Sequence, residues 1–385
     1  MKLDPELSSS GASAPSAQPS RLARWALAAC AGLIVYGSLT PWTGWRDTGV
    51  GALAYLVAPW PRHLTLFDVV VNVLAYMPLG SLGMLALYPR WRGFRAAAAM
   101  TALGIALSAG MEALQTYLPS RVASSVDLLT NGLGTLLGAG VAAPFVHALL
   151  DRGAPGHVGS RWFRRDAAPA LVLLALWPIA QIDPGPMLFG NGRAGLESLP
   201  TAMPALSGAQ PVIAAWAGFG PVEFMLAEGV VTFCGLLAAG LALVSTLRPS
   251  APHHPLLAAL CIAALGSKAL AYGLEFGGPY ALVWVTPGAL SGLALGGACL
   301  IVAAHNGRAV LLSRVSLICL CTLIAVVNLV PANPYHTLWI EQWDPGKLRH
   351  VSAVAAWLSM AWPYAMLVWQ AYDGLPRRRT PARRT

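Results

Sequence analysis

The feature that most constrains this chain is a succession of apolar runs, each about as long as a bilayer core is thick. A helix rises about 1.5 Å per residue, so roughly 20 apolar residues cross the hydrocarbon layer. Runs of that order occupy 25–42, 67–88, 96–116, 125–149, 167–182, 219–247, 256–275, 281–304, 314–331 and 351–371. Only 11% of the 385 residues are charged, against about 25% in a typical soluble domain. Many of the 30 Pro and 39 Gly fall inside the apolar runs, where membrane helices tolerate them better than soluble helices do. The reading is an all-α, polytopic transmembrane helix bundle of about ten spans. It excludes a soluble enzyme, a disordered protein and a nucleic-acid-binding module.

The net charge of +9 bears on topology rather than on an acidic partner. Basic residues cluster at Pro89–Arg95, at Arg161–Arg165 and at Arg377–Arg384. Such clusters flank membrane helices on the cytoplasmic side. Ten spans put both termini on one face. If that face is cytoplasmic, only Arg46, Arg62, Arg121, Arg193, Lys347 and Arg349 lie outside, and Lys268 lies within a span. Lysine is scarce among the 25 basic residues, at Lys2, Lys268 and Lys347. With the Ala and Gly excess this suggests a GC-rich bacterial genome, and hence a multi-pass protein of the bacterial inner membrane.

The organisation expected is a polar, disordered cytoplasmic tail over 1–24, a four-helix membrane domain over 25–150, a six-helix extension over 151–372 and a basic tail over 373–385. The first apolar run lacks an A-x-A cleavage site and is kept as a helix. Cys30, Cys234, Cys261, Cys299, Cys319 and Cys321 all lie in apolar runs with no CxxC, so they read as packing residues. No metal site and no cofactor are expected.

The polar residues inside the spans are few and patterned. Asp68 and Asn72 open the second span at i,i+4; Glu112 and Gln115 close the third at i,i+3; Asp127 and Asn131 open the fourth at i,i+4. Each pair shares a helix face. In the expected topology all three sit at the outer leaflet. An Asp at the membrane centre costs roughly 2.5–3.5 kcal/mol, so such residues face a bundle interior or a wet cavity and are paired. Arg121, between the third and fourth spans, and Arg46, Arg62 and His63, before the second, are the available partners. Helix capping would account for Asp68 and Asp127 alone. It does not account for Glu112, at a C-terminus where the dipole disfavours an acid, nor for the amides one turn deeper. The candidate ligand-binding set is therefore Asp68, Asn72, Glu112, Gln115, Arg121, Asp127 and Asn131, with Glu112 and Asp127 as catalytic candidates. The Gly134/Gly138 spacing reads as a packing stripe.

In this order, Asp68, Asn72 and Pro78–Gly80, then Glu112 and Gln115, Arg121, and Asp127, Asn131, Gly134 and Gly138, resemble the VanZ-like membrane domain. The preceding SLTPW, Ser38–Trp42, fits as well, and the resemblance covers about 33–145. It implies a multi-helix membrane protein and carries the family's label of teicoplanin resistance. It specifies no reaction.

The remainder suggests a degenerate internal repeat. Residues 67–80 resemble 224–237, and 128–140 resemble 284–297, which keep Gly288, Gly292 and Gly296. Trp284 and Pro287 stand where Asp127 and Asn131 would align, so the polar set is not repeated. Lys268, the lone intramembrane cation, is expected to pair with an acid such as Glu228. His253 and His254 are too few to indicate a metal. The Trp-rich 333–350 reads as an interfacial helix or lid.

Three functions are compatible with these residues. The leading one is non-catalytic binding of an envelope precursor, a lipid-linked saccharide or glycopeptide headgroup, with arginine for phosphate and acids and amides for hydroxyl or amide groups. The second is a membrane enzyme with Glu112 or Asp127 as acid or base. The third is a small-solute transporter using Lys268. The partner common to all is the lipid bilayer, and nucleic acid is excluded. The topology is tested by cysteine labelling: positions introduced near Arg92 and Arg164 should label from the cytoplasm and one near Asn191 from the periplasm, and same-side labelling of all three would overturn it.

Overall fold

A computed structural model describes residues 20–60, 65–147, 161–164, 166–194, 220–306, 308–330 and 349–373. Among them are ten α-helices: α1 (Arg21–Leu39), α2 (Leu66–Leu87), α3 (Gly93–Gln115), α4 (Ser125–His147), α5 (Ala168–Ala180), α6 (Pro221–Thr246), α7 (His253–Phe276), α8 (Pro287–Asn306), α9 (Ala309–Leu329) and α10 (Arg349–Asp373). No strand occurs among the described residues beyond an isolated bridge between Phe163 and Leu247. Eight helices, α1 to α4 and α6 to α9, are long and apolar enough to cross a membrane. This is a polytopic helical membrane protein, as its apolar runs require. The two helices outside that set are α5, only 13 residues long, and α10, which carries Trp357, Trp362, Trp369 and two tyrosines among its apolar residues. Most of 333–350, both tails, Arg62 and His63 lie outside the described residues.

The chain divides into two compact units, one of Met1–Ala31 with Gly44–His157, the other of Gly32–Thr43 with Val158–Thr385. Helix α1 contributes its first half to the first unit and its last residues to the second, where Tyr36 stacks on Trp357 at 4.6 Å.

In the first unit α2 begins at a capping box. The Thr65 hydroxyl accepts from the Asp68 amide at 3.2 Å, and the Asp68 carboxylate accepts from the Thr65 amide at 3.3 Å. Helices α2 and α4 then run in close contact because a glycine of one helix meets backbone of the other at three points. A Cβ on Gly134 would strike the Val73 carbonyl oxygen, one on Gly138 that of Met77, and one on Gly80 that of Thr135. In lipid, where apolar surface has nothing to escape from, this close approach supplies the dispersion energy of association. Helix α3 joins through Gly104, whose missing side chain is replaced by that of Thr135, and Met100 fills the space at Gly83. Leu74, Leu103, Leu129, Val141 and Phe145 stay largely exposed, as side chains that meet lipid rather than water do.

In the second unit α6 is the central helix, buried without a break from Cys234 to Thr246. A Cβ on Gly288 or Gly292 of α8 would meet the Met225 or Gly229 carbonyl of α6. The i,i+4 glycine contact of α4 on α2 thus recurs in α8 on α6. It places Met225 and Gly229 where the first unit has Val73 and Met77, several residues from the register that sequence similarity suggests. The Ser316 hydroxyl of α9 donates to the Ala238 carbonyl at 2.8 Å, and Gln370 of α10 donates to Ser316 at 2.7 Å. The six cysteines are free and helical; Cys234 and Cys319 are buried, whereas Cys299 and Cys321 are exposed and do not pack inside.

The glycine stripes can be tested against glycines on the same helices that face open space. Nothing lies within 4 Å of a Cβ built on Gly140 or Gly297. We predict that Gly138→Leu and Gly292→Leu sharply reduce the yield of folded protein, at more than the ~1–3 kcal/mol of an overpacked core. Gly140→Leu and Gly297→Leu should unfold within a few degrees of the parent in detergent.

Candidate functional site

Six of the seven sequence-derived site residues lie around one end of the α2–α3–α4 group, where α2 begins, α3 ends and the 116–124 loop leads into α4. Asn131 lies a turn deeper. Each is held differently, and the differences separate scaffold from candidate contact.

Asp68 is engaged in the α2 cap, its carboxylate also accepting from the Thr65 hydroxyl at 2.6 Å. It is exposed. Capping accounts for its identity and position without a ligand. One turn on, the Asn72 side-chain amide donates to the Asp127 carboxylate at 3.0 Å, tying the first turns of α2 and α4 together. Asp127 is half-buried and sits in the first turn of α4, where the helix dipole favours an acid. Its backbone amide, with that of Val126, donates to the Ser124 hydroxyl, which acts as the cap of α4.

Glu112 is the least expected group here. Its side chain is 3% exposed, near the C-terminal end of a membrane helix, where the dipole opposes a negative charge. One carboxylate oxygen accepts from the Ser124 backbone amide at 2.7 Å. The α3 acid therefore fixes the start of α4 across the intervening loop, a contact that spacing alone does not reveal. Arg121, half-buried in that loop, lies close enough for its charge and that of Glu112 to act on each other. Burial pushes the guanidinium below its ordinary pKa, and the Glu112 carboxylate opposes that shift. Gln115 is buried beside them.

Asn131 is buried, and its amide donates to the Ser108 hydroxyl of α3 at 2.9 Å. The Asn131 side-chain oxygen, Oδ1, has no hydrogen-bond partner among the described residues.

Two side chains, Tyr55 and Thr48, carried no signal in the sequence, and Arg46, expected as a charge partner, takes part through its backbone amide. Tyr55, 3% exposed, donates its hydroxyl to the Ala109 carbonyl at 3.3 Å and lies near enough to Glu112 to feel its charge. Thr48 donates to the Thr116 carbonyl at 2.7 Å, and the Arg46 amide to that of Tyr117 at 3.0 Å. The 44–57 segment thereby folds over the end of α3. These residues sit in a loop without periodicity, and their partners are backbone carbonyls, which leave no trace in a pattern of residue types. Among the described residues no three His, Cys, Asp or Glu side chains converge as metal ligands.

Residues 22–147 match the family model described as VanZ/LLP1. The chain thus carries a VanZ-like domain, as its ordered polar residues indicated, with a longer extension beyond it. No curated protein matches the chain. No solved structure matches it either.

The Glu112 contact separates two roles in one position. Glutamine keeps a carbonyl oxygen for the Ser124 amide, whereas leucine leaves that buried donor unpaired at a cost of about 1–3 kcal/mol. We predict that Glu112→Gln unfolds near the parent temperature and Glu112→Leu well below it. Equal destabilisation in both would show that the charge, and not the hydrogen bond, holds the loop.

Proposed function

We propose that the VanZ-like domain binds the anionic, hydroxyl- or amide-bearing headgroup of a lipid-linked envelope precursor in the bacterial inner membrane. The observation that carries this reading is the convergence of Arg121 with Glu112 and Asp127 from a loop and two helices at one end of the bundle. A guanidinium fork grips phosphate or carboxylate through two parallel hydrogen bonds, and carboxylates and amides match sugar hydroxyls. The lipid-facing apolar flanks of α2, α3 and α4 would seat the acyl or prenyl chain while the headgroup reaches this polar end. Teicoplanin resistance, the label attached to the family, belongs to this reading as one consequence of engaging a wall precursor; the residues themselves specify phosphate, hydroxyl and amide groups.

The test turns on Arg121. Lysine keeps its charge and loses its fork. Thermal unfolding of the detergent-purified protein, titrated with a short-chain lipid bearing a saccharide diphosphate, should show a ligand-induced rise in midpoint for the parent. A short-chain phosphocholine should give none. Arg121→Lys should express and fold normally yet lose at least tenfold in apparent affinity, about 1.4 kcal/mol. If Arg121→Lys binds like the parent while Arg121→Ala unfolds, the residue only neutralises its acidic neighbours.

A further inference from the structure

The second unit contains a buried charge arrangement that belongs to neither the VanZ-like domain nor the headgroup reading. Lys268 does not pair with Glu228 as its sequence position suggests. Glu228 of α6 instead accepts a short hydrogen bond from the Thr286 hydroxyl at the start of α8. The Lys268 ammonium, 2% exposed, donates to the backbone carbonyls of Asp183 at 2.7 Å and Gly185 at 3.2 Å. One helical turn on, the Tyr272 hydroxyl donates to the carbonyls of Pro184 and Gly185 at 3.3 and 3.2 Å.

The chain segment they hold is itself unusual. Helix α5 stops after 13 residues, and the chain continues as irregular but buried backbone, with Leu188 and Phe189 fully buried. The segment meets α7 at Lys268, about two turns inside the Phe276 end of that span. Non-helical backbone beside the interior of a membrane helix is tolerated only where it is buried in protein or lines a cavity. In transporters such interruptions present carbonyls to ions.

The polar atoms that meet the ammonium are oxygens, and the Tyr272 ring lies beside it at 5.1 Å to its centre. The Asp183 carboxylate folds back over the turn, 3.6 Å from where a Cβ on Gly185 would lie, and is hydrogen-bonded to Ser359 of α10. Two acids, Asp183 and Glu275 of α7, thus act on one ammonium, and Glu228 of α6 acts on the neighbouring Tyr272. An ammonium head and a desolvated alkali cation require the same thing, several oxygen dipoles around one positive charge, and oxygen donors select hard cations.

We propose that the Asp183–Gly185 turn, with the Asp183 carboxylate and Tyr272, is a monovalent-cation site in which the Lys268 ammonium and an alkali cation compete. When the cation enters, Lys268 releases one proton and withdraws as a neutral amine, so one positive charge replaces another and the site's net charge is unchanged. Lysine suits this exchange because it can lose its proton on burial, which arginine cannot.

The experiment uses the full chain in detergent, with KCl, NaCl and choline chloride at equal ionic strength, followed by thermal unfolding and by proton release read with an indicator dye. K⁺ or Na⁺, but not choline, should raise the parent's midpoint, more so as pH rises from about 6 to about 9, and should release protons into weakly buffered solution. Lys268→Arg should fold and show neither the shift nor the release. Lys268→Met should show the cation shift at every pH with no proton release. A parent midpoint that responds no differently to K⁺, Na⁺ and choline would overturn the proposal, leaving Lys268 an anchor for the turn. So would a Lys268→Arg protein that behaves as the parent does, or a Lys268→Met protein indifferent to the cation.

Discussion

Contact between helix backbones at glycine is the interaction on which both units depend. In water a helix pair gains by hiding apolar surface; in lipid that gain vanishes, and only closer approach and hydrogen bonds remain. Gly134 and Gly138 let α4 lie against the carbonyls of Val73 and Met77, and Gly288 and Gly292 do the same for α8 against α6. Everything polar at the end of the first unit hangs from this contact. With α2 and α4 this close, Asn72 reaches Asp127 and Glu112 reaches the amide that begins α4. A wider spacing would strand each of these groups in apolar surroundings, where an unmet polar group costs several times what a met one contributes.

That geometry also divides the polar set by task. Asp68 and Ser124 cap helices, and Asn131 joins α4 to α3 through Ser108. These roles need no ligand. Arg121 stands apart because it lies outside the helices, on a loop whose far end Glu112 holds at the Ser124 amide. A loop fixed by a neighbouring acid gives a guanidinium a defined position at little entropic cost, and pre-ordering of this kind is what makes a single arginine an effective anion contact.

What could be read from the sequence follows from what kind of partner each residue has. Helices announce themselves, since apolar length is a property of the run alone; even α5 and α10, which fall short as spans, occupy their expected places. The side-chain set from Asp68 to Asn131 was also legible, because expensive residues in a membrane are conspicuous. Illegible were the bonds from side chain to backbone. Glu112 to the Ser124 amide, Tyr55 to the Ala109 carbonyl and Lys268 to the Asp183 and Gly185 carbonyls all end on atoms that every residue carries. The expected partner of Lys268 is an acid such as Glu228, whereas the carbonyls of an irregular turn many residues upstream accept from its ammonium. The repeat register fails for a related reason, since similarity of apolar letters slides along a helix while glycine against carbonyl does not.

The placement of Lys268 invites the view that it is only a clasp for the turn, and energetics argue against a clasp alone. Withdrawing an ammonium from water costs several kcal/mol even after relaxation, and a buried ion pair often contributes no more than well-packed apolar residues of the same volume. To hold a turn against α7, a neutral donor would suffice, and Tyr272, one turn along, already bonds two of its carbonyls. The second donor need not have been charged. That it is charged, and that Asp183 and Glu275 both act on it, points to a position where the charge itself is used. In a membrane span, such a use requires that the charge be able to leave.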